Sequence, residues 1–168
     1  VATHIKEFIH YLKQLIEIRR HDLGDDLISS LIQAEEEGTK LSEQELYSMI
    51  FLLIVAGHET TVNLIGNGMV TLLDFPDQLE KLRNNPALVE SAVEELLRFS
   101  GPVEIATNRW AAKDVQLHDQ VIQKGDMVLV VLASANRDPN VFENPDKLDV
   151  TRVHNKHVAF GMGSHFCL

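Results

Sequence analysis

The sequence contains a single cysteine, Cys167, among 168 residues, so the chain forms no internal disulfide. Cys167 is therefore a buried thiol, a reactive thiol or a metal ligand, and a reducing compartment such as the cytoplasm is favoured. Positive charge is scarce as well, because 15 Lys and Arg stand against 25 Asp and Glu, a formal net charge of -10. This balance disfavours a protein whose main task is to bind the phosphates of nucleic acid.

Internal repeats and low-complexity tracts are absent, and the amino terminus lacks the charged and apolar regions of a signal peptide. With 45% hydrophobic and 24% charged residues the composition is that of a globular protein, and the length suits one domain. Charge is unevenly spread. Residues 151–168 carry two bases, Arg152 and Lys156, with three histidines and no acid, which makes this end the basic pole.

Apolar spacing and helix-breaking residues predict a mostly helical chain with a small β patch. The predicted helices run from Thr3 to about Arg20, Asp25 to Glu36 with an end at Gly38, Leu46 to Leu73, Pro76 to Arg83 and Pro86 to Phe99. Val115 to Leu117 and Val121 to Ile122 predict a hairpin, and Val128 to Leu132 predicts a buried strand. No regular element is predicted from Thr151 onward.

The longest predicted helix is the most unusual segment of the sequence. Ser42 and Glu45 form a capping-box pattern that starts it. Between Leu46 and Leu73 the charged residue types are represented by Glu59 alone, with His58 beside it, so other elements of a soluble protein must wrap this helix on nearly all sides. A membrane span is the competing interpretation. It is disfavoured by the polar residues in the middle of the segment, which are His58, Glu59, Thr60, Thr61, Asn63 and Asn67.

The middle of this helix holds the first candidate motif, which runs from Ala56 to Thr61. Gly57 and two β-branched threonines are poor choices for a helix interior, so propensity alone does not explain them. The Thr60 hydroxyl can turn onto the carbonyl of Ala56, opening a groove for water beside Glu59, which could then pass protons. The alternative is a close helix crossing at Gly57 with Glu59 in a buried ion pair.

The second candidate motif lies on the helix that begins at Pro86. Its apolar spacing places Glu94 and Arg98 together on the side away from the core, with Glu95 at the edge. Taken alone, this pattern is typical of a solvated ion pair.

The third candidate motif runs from Phe160 to Cys167. Gly161 and Gly163 allow a tight turn and close approach to a flat partner, and backbone N–H groups of the run could stabilise a thiolate. A zinc site with His154, His157 and His165 is the alternative, although a second cysteine is lacking for the usual C-x-x-C pair. A second alternative is that Cys167 is an ordinary buried cysteine without a chemical role.

Together, and in this order, the three motifs resemble those of the cytochrome P-450 family of haem-thiolate monooxygenases. The run from Phe160 to Cys167 looks like that family's haem-binding loop, Glu95-x-x-Arg98 resembles its E-x-x-R helix, and Ala56 to Thr61 is similar to its oxygen-activation segment. The resemblance is closest to the soluble bacterial members and covers the whole chain, residues 1–168. It implies a partial P-450 domain, including the long central helix, that lacks the amino-terminal half and stops just after the cysteine.

The resemblance also implies roles for particular residues. Cys167 would be the axial ligand of the iron of haem b, and Thr60 and Glu59 would deliver protons to bound dioxygen. Arg109 and His165 would pair with haem propionates, and Ala56, Phe160 and Gly161 would lie against the cofactor. Glu95, Arg98 and Arg152 would form a buried structural cluster. The substrate side would be lined by small or aliphatic residues, namely Leu52, Val55, Val103, Ile105 and Ala106.

The implied reaction is hydroxylation of a small-to-medium apolar molecule with dioxygen. A ferredoxin- or flavodoxin-like donor would approach the basic pole, where Lys156 is the cleaner site for a test because Arg152 has a structural role; a merely solvated loop is the alternative. Two other functions remain open: a peroxide-using variant, which would need no proton relay through Thr60, and a helical haem-binding or interaction piece without catalysis.

Overall fold

A computed structural model describes residues 2–36 and 42–167. In this range the protein is mainly α with two small antiparallel sheets, which confirms the predicted fold class. The long helices are α1 (Ala2–His21), α2 (Leu27–Glu36), α3 (Glu43–Asp74), α4 (Pro76–Asn84) and α5 (Val89–Ser100). The predicted helix end at Gly38 lies outside the described residues. The chain forms two compact units, which divide within α3 between Glu59 and Thr60.

The first unit is built from α1, α2 and the start of α3. Its buried core consists of aliphatic side chains from all three helices, which are Leu12, Ile16, Ile32, Leu46 and Ile50. The α2 helix starts two residues later than predicted because the carboxylate of Asp26 accepts a hydrogen bond from the Ser29 N–H at 2.9 Å, so Asp26 caps the helix from outside. The same bond holds the pKa of Asp26 below its usual value.

The capping box at the start of α3 is present as predicted. Glu45 Oε2 accepts hydrogen bonds from the backbone N–H and the hydroxyl of Ser42, each at 2.7 Å. In return the Glu45 N–H donates to Ser42 Oγ at 3.3 Å. Two backbone N–H groups at the start of the helix, those of Ser42 and Glu45, are therefore satisfied locally.

The second unit has its core where the end of α3 meets α5 and a long irregular segment. The buried members are Leu72, Ala92, Leu148 and Val150. Gly68 allows the two helices to approach, because a Cβ there would lie 3.2 Å from Leu96 Cδ1. The Thr71 hydroxyl also lies 3.0 Å from the Ser100 hydroxyl. The predicted helix from Pro86 is in fact a 3₁₀ turn, Pro86–Leu88, followed by α5.

Four short strands form the β patch. β1 (Arg109–Trp110) pairs with β4 (Met127–Val128), and β2 (Val115–Leu117) pairs with β3 (Gln120–Ile122), as the hairpin prediction required. The predicted buried strand from Val128 to Leu132 is wrong. Residues 129–131 are exposed, and Leu132 begins a short helix, α6 (Leu132–Ala135). The β-branched residues Val130 and Val131 are exposed. Val131 pairs with Ile105 through an isolated β-bridge, so these residues favour extended pairing here without being buried.

The rest of the second unit, after α6, is held by side chains more than by regular structure, and a single 3₁₀ turn, Gly163–His165, is assigned there within the described residues. This agrees with the prediction for the region after Thr151. Among the described helices α3 alone is long and apolar enough to cross a membrane. This is weak evidence, since the core helix of a soluble protein meets the same criterion.

Candidate active site

Two charged residues of α5, Glu95 and Arg98, are buried and pair with each other, which makes the predicted solvated pair of Glu94 and Arg98 wrong. Arg98 is 2% exposed and Glu95 is fully buried. The Arg98 guanidinium donates through Nε and Nη2 to the two carboxylate oxygens of Glu95, both at 2.8 Å. This two-point contact is the strongest geometry available to an arginine and a carboxylate.

The remaining donors of Arg98 bind the irregular segment of the second unit. Nη1 donates to the carbonyls of Asn136 and Pro145, at 2.9 and 2.8 Å, and Nη2 donates to the carbonyl of Lys147 at 3.1 Å. All five N–H groups of the guanidinium are therefore used. A lysine has three donors on a single atom and could not reproduce this set.

Glu95 accepts three further hydrogen bonds from the same segment. They come from Arg152 Nε at 2.9 Å, Asn155 Nδ2 at 3.1 Å and the Asp149 N–H at 2.9 Å. The structure thus brings Glu95, Arg98 and Arg152 together in one buried cluster. Because a carboxylate with two guanidiniums and two further donors is fully compensated, its burial is tolerated.

A turn at Asp149 presents Arg152 to this cluster. Burial raises the pKa of Asp149, but hydrogen bonds from the Thr151 hydroxyl and N–H, with the charges of Lys81 and Arg152, outweigh it and hold the pKa below its usual value. The Arg152 N–H donates to the carbonyl of Asp149 at 3.0 Å, which closes the turn.

The cysteine loop, residues 160–167, folds back on itself. The Cys167 N–H donates to the carbonyl of Phe160 at 3.0 Å, and the Phe166 N–H donates to the carbonyl of Gly163 at 3.1 Å. Gly161 and Gly163 have φ angles of 75° and 77°, which only glycine adopts without strain. The structure therefore explains both glycines of the motif.

Cys167 is exposed, so the alternative of an ordinary buried cysteine is wrong. The zinc alternative also fails, because within the described part of the chain no three His, Cys, Asp or Glu side chains come close enough to hold a metal together. What the loop offers is an accessible thiol beside exposed apolar side chains, which are Phe160, Met162 and Phe166. His165 lies on the 3₁₀ turn of the loop and is exposed too.

The motif from Ala56 to Thr61 lies on α3, which is helical throughout. Glu59 is exposed, and a Cβ added to Gly57 would meet nothing within 4 Å. The alternative of a close helix crossing with a buried Glu59 is therefore wrong. Leu52, Val55 and Ala56 are exposed on the same helix.

The remaining predicted residues lie on the irregular segment before β1 and in β1 itself. Val103 and Ile105 are exposed, and Ala106 donates its N–H to the carbonyl of Val130 at 2.9 Å. Arg109 is exposed in β1 and donates to the Thr107 hydroxyl at 2.8 Å. The structure therefore groups the predicted residues into local sets on α3, on α5 with its irregular segment, at β1 and in the cysteine loop.

Two contacts near the cysteine loop were not expected from the sequence. Asn136 lies 3% exposed and accepts the Val158 N–H at 2.8 Å, and His157 contacts Glu94. Asn136 begins the run Asn-Arg-Asp-Pro, which is a loop pattern in the sequence, whereas His157 entered only as a possible zinc ligand.

The comparisons with known proteins agree with the resemblance. A family model described as Cytochrome P450 matches residues 1–168. A cytochrome P450 of Bacillus subtilis (strain 168) is 57% identical over 162 residues, which are 96% of this chain and 40% of the relative. The chain spans about two fifths of the length of the curated relatives it matches.

Solved structures of the same kind share its fold. The ligand-free P450 monooxygenase TamI superposes with a TM-score of 0.89 at 47% identity, covering 99% of this chain and 41% of that one. P450BioI, in complex with an acyl carrier protein ligated to hexadec-9Z-enoic acid, gives a TM-score of 0.84 at 45% identity and covers 95% of this chain and 40% of that one.

Proposed function

The chain belongs to the cytochrome P450 family, and on that premise we propose that the protein is a haem-thiolate monooxygenase that uses dioxygen to hydroxylate an apolar organic molecule of small to medium size. Residues 1–168 would form part of the P-450 domain. Members of the family bind haem through a cysteine. The single observation that carries the proposal is the exposed thiol of Cys167 at the end of a tight glycine loop.

The residues of the loop suit a haem chemically. A flat apolar macrocycle needs close backbone approach and apolar contact, which Gly161 and Phe160 offer, and its iron needs a thiolate, for which Cys167 is the single candidate in the sequence. Gly163 has open space where a side chain would stand, so a ligand could come close there. Ala56 would add a small apolar contact from α3.

The propionates of haem b need cationic or donor partners. Arg109 and His165 are both exposed, and a guanidinium suits a carboxylate because of its planar set of donors. We assign these two residues to the propionates. The buried cluster of Glu95, Arg98 and Arg152 would act at a distance from the cofactor, by fixing the segment that leads into the cysteine loop.

Haem with a thiolate ligand supplies the activation of dioxygen and the cleavage of its O–O bond. Protons for that chemistry would be moved by Glu59, whose carboxylate is exposed, and held by the hydroxyl of Thr60 beside it on α3. Water would enter along the helix near Ala56.

The proposed substrate side is aliphatic. Leu52 and Val55 on α3, with Val103, Ile105 and Ala106 on the segment before β1, present alkyl surface without charge. Such a lining favours an apolar substrate. The fatty acyl chain bound with P450BioI belongs to that protein, but it is of the same chemical class.

The proposed electron donor is a ferredoxin- or flavodoxin-like protein with an acidic surface. Residues 151–168 carry no acid, and Lys156 is exposed, whereas Arg152 is engaged with Glu95. An acidic donor would be steered to this end of a chain that is otherwise strongly negative. Both proteins would meet in the cytoplasm.

The test is the absorption spectrum of the intact protein, reduced in the presence of haem and carbon monoxide. We expect the strongly red-shifted Soret band of thiolate ligation in the wild type and its loss in Cys167→Ser, because no other thiol exists in this sequence. Ser164→Ala, in the same loop and exposed, is the matched control and should keep the band. A wild-type spectrum of histidine ligation would overturn the proposal.

A further inference from the structure

The segment that leads into the cysteine loop has no regular secondary structure, yet side chains anchor it at three successive points. Asn155 Nδ2 donates to Glu95 Oε2 at 3.1 Å, and the Val158 N–H donates to Asn136 Oδ1 at 2.8 Å. Between them, His157 Nε2 lies 3.0 Å from Glu94 Oε2. Two consecutive glutamates of α5 thus hold two residues of this segment.

The hydrogen bonds of His157 define its tautomer. The Ala159 N–H donates to His157 Nδ1 at 3.2 Å, so Nδ1 acts as an acceptor and carries no proton. The proton of the neutral ring is therefore on Nε2, which donates to the Glu94 carboxylate. The imidazole side chain is 5% exposed, whereas that of Glu94 is half-exposed.

His157 also contacts the cysteine loop directly. Its ring lies 6.1 Å from the ring of Phe160, centre to centre, and Phe160 lies 6.2 Å from Phe166. The carbonyl of the same Phe160 accepts the N–H of Cys167. A continuous set of contacts therefore runs from Glu94 through His157 and Phe160 to Cys167.

We propose that His157 is a positioning residue, which fixes the cysteine loop to α5 through its hydrogen bond to Glu94 and its contact with Phe160, and so sets where the sulfur of Cys167 lies. An exposed ion pair between two side chains would do little to hold the loop in place. This contact differs because the imidazole is buried and both of its nitrogens are bonded, so losing either partner leaves a buried polar atom unsatisfied.

That the position of the Cys167 sulfur affects haem ligation rests on the proposed function, whereas the anchoring of the loop by His157 does not. The experiment therefore has two readouts in the intact protein. The first is hydrogen exchange of the backbone amides of residues 158–167, which needs no activity. The second is the fraction of the carbon monoxide complex that shows the red-shifted Soret band.

Four variants separate the possible roles of the pair. Glu94→Ala and His157→Phe remove the hydrogen bond, and His157→Phe keeps a ring against Phe160. Glu94→Gln keeps an acceptor for Nε2 but removes the charge. Glu90→Ala is the control, an exposed glutamate on the same helix.

We expect Glu94→Ala and His157→Phe each to speed exchange in the loop by about tenfold and to lower the red-shifted fraction at equal haem content. The double variant should differ little from His157→Phe alone, because both changes break the same Glu94–His157 hydrogen bond. Glu94→Gln and Glu90→Ala should stay within about twofold of wild type.

Unchanged loop exchange in Glu94→Ala would overturn the proposal, and so would additive effects of the two variants. Equal acceleration throughout α5 would also overturn it, because that pattern marks general destabilisation. A wild type without the red-shifted band would reject the proposed function, while the exchange data would still decide the role of His157.

Discussion

Helices α3 and α5 differ in a way that inverts the usual association of residue type with burial. α5 buries charged side chains, Glu95 and Arg98, whereas α3 from Thr60 to its end leaves apolar ones exposed, among them Ile65, Val70 and Leu73. In α5 every donor of the buried guanidinium finds an acceptor, so burial costs little. Burial is thus decided by the partners that the rest of the chain supplies.

The apolar side of α3 is exposed in a chain that spans about two fifths of the length of its relatives. Contiguous apolar surface on a protein marks a place where a ligand, another element or another chain binds. The proposed substrate contacts on α3, Leu52 and Val55, are of this kind. Glu95 and Arg98 on α5 have the opposite role, because their hydrogen bonds are already made to other parts of this chain.

The largest effect should come from breaking the buried cluster of α5. Glu95→Ala leaves Arg98 fully buried and Arg152 nearly so, each without its carboxylate. We expect a loss of about 3–5 kcal/mol in the free energy of unfolding, because unpaired buried charge is the most costly of point defects. Denaturant unfolding measures it.

The matched control for this change is Glu90→Ala on the same helix. Glu90 is exposed in the first turn of α5. A carboxylate at this position stabilises the helix by less than about 1 kcal/mol through its interaction with the helix dipole. Similar losses for the two variants would show that the buried cluster does not stabilise the fold.

Two adjacent leucines of α3 allow a sharper test of the exposed face. Leu72 is 6% exposed and Leu73 is 63% exposed. In the 168-residue chain, Leu72→Ala should cost about 2–5 kcal/mol in unfolding free energy. Leu73→Ala should change it by less than about 0.5 kcal/mol.

Thermal or denaturant unfolding of both variants gives the comparison directly. Should Leu73→Ala prove as costly as Leu72→Ala, this face of α3 is covered in solution, and the contrast with α5 would be lost. A concentration-dependent midpoint would then identify a second copy of the chain as the cover.

Local patterns in the sequence were sufficient for the existence of the main helices and of the β2–β3 hairpin. The capping box placed the start of α3 correctly, because its hydrogen bonds join residues three apart. The strand predicted from Val128 to Leu132 failed because β-branched residues occur on exposed edges as well as in buried sheets.

The candidate site depended on long-range contacts that periodicity does not contain. Helical spacing placed Arg98 beside Glu94 in solvent, yet its acceptors come from Asn136, Pro145 and Lys147, far along the chain. The resemblance to the P-450 family correctly predicted Glu95 as the partner of Arg98, whereas helical spacing predicted Glu94. It was silent about His157, whose importance follows from burial and from its bond to Glu94.

Among the variants that remove a contact, the smallest effect concerns how the two helices begin. α3 starts with the hydrogen bonds of Ser42 and Glu45, whereas α5 follows a 3₁₀ turn and has no side-chain cap. We expect Ser42→Ala to weaken the first turn of α3 by about 1 kcal/mol and to leave the amide exchange of α5 unchanged. Faster exchange in both helices would show that the cap supports more than its own turn.

The same cap makes the start of α3 sensitive to acid. The backbone N–H and hydroxyl of Ser42 hold the pKa of the Glu45 carboxyl below its usual value. When folding lowers the pKa of a carboxyl, the charged group stabilises the fold at pH values above its pKa in the unfolded chain. This stabilisation is lost as the pH falls through the pKa of the group in the folded protein.

Ser42→Ala removes the hydroxyl and keeps the backbone donor, so the pKa of Glu45 should rise part of the way back. An NMR titration of the Glu45 carboxyl in both proteins tests this, and an unchanged midpoint would mean that the backbone donor alone sets the pKa.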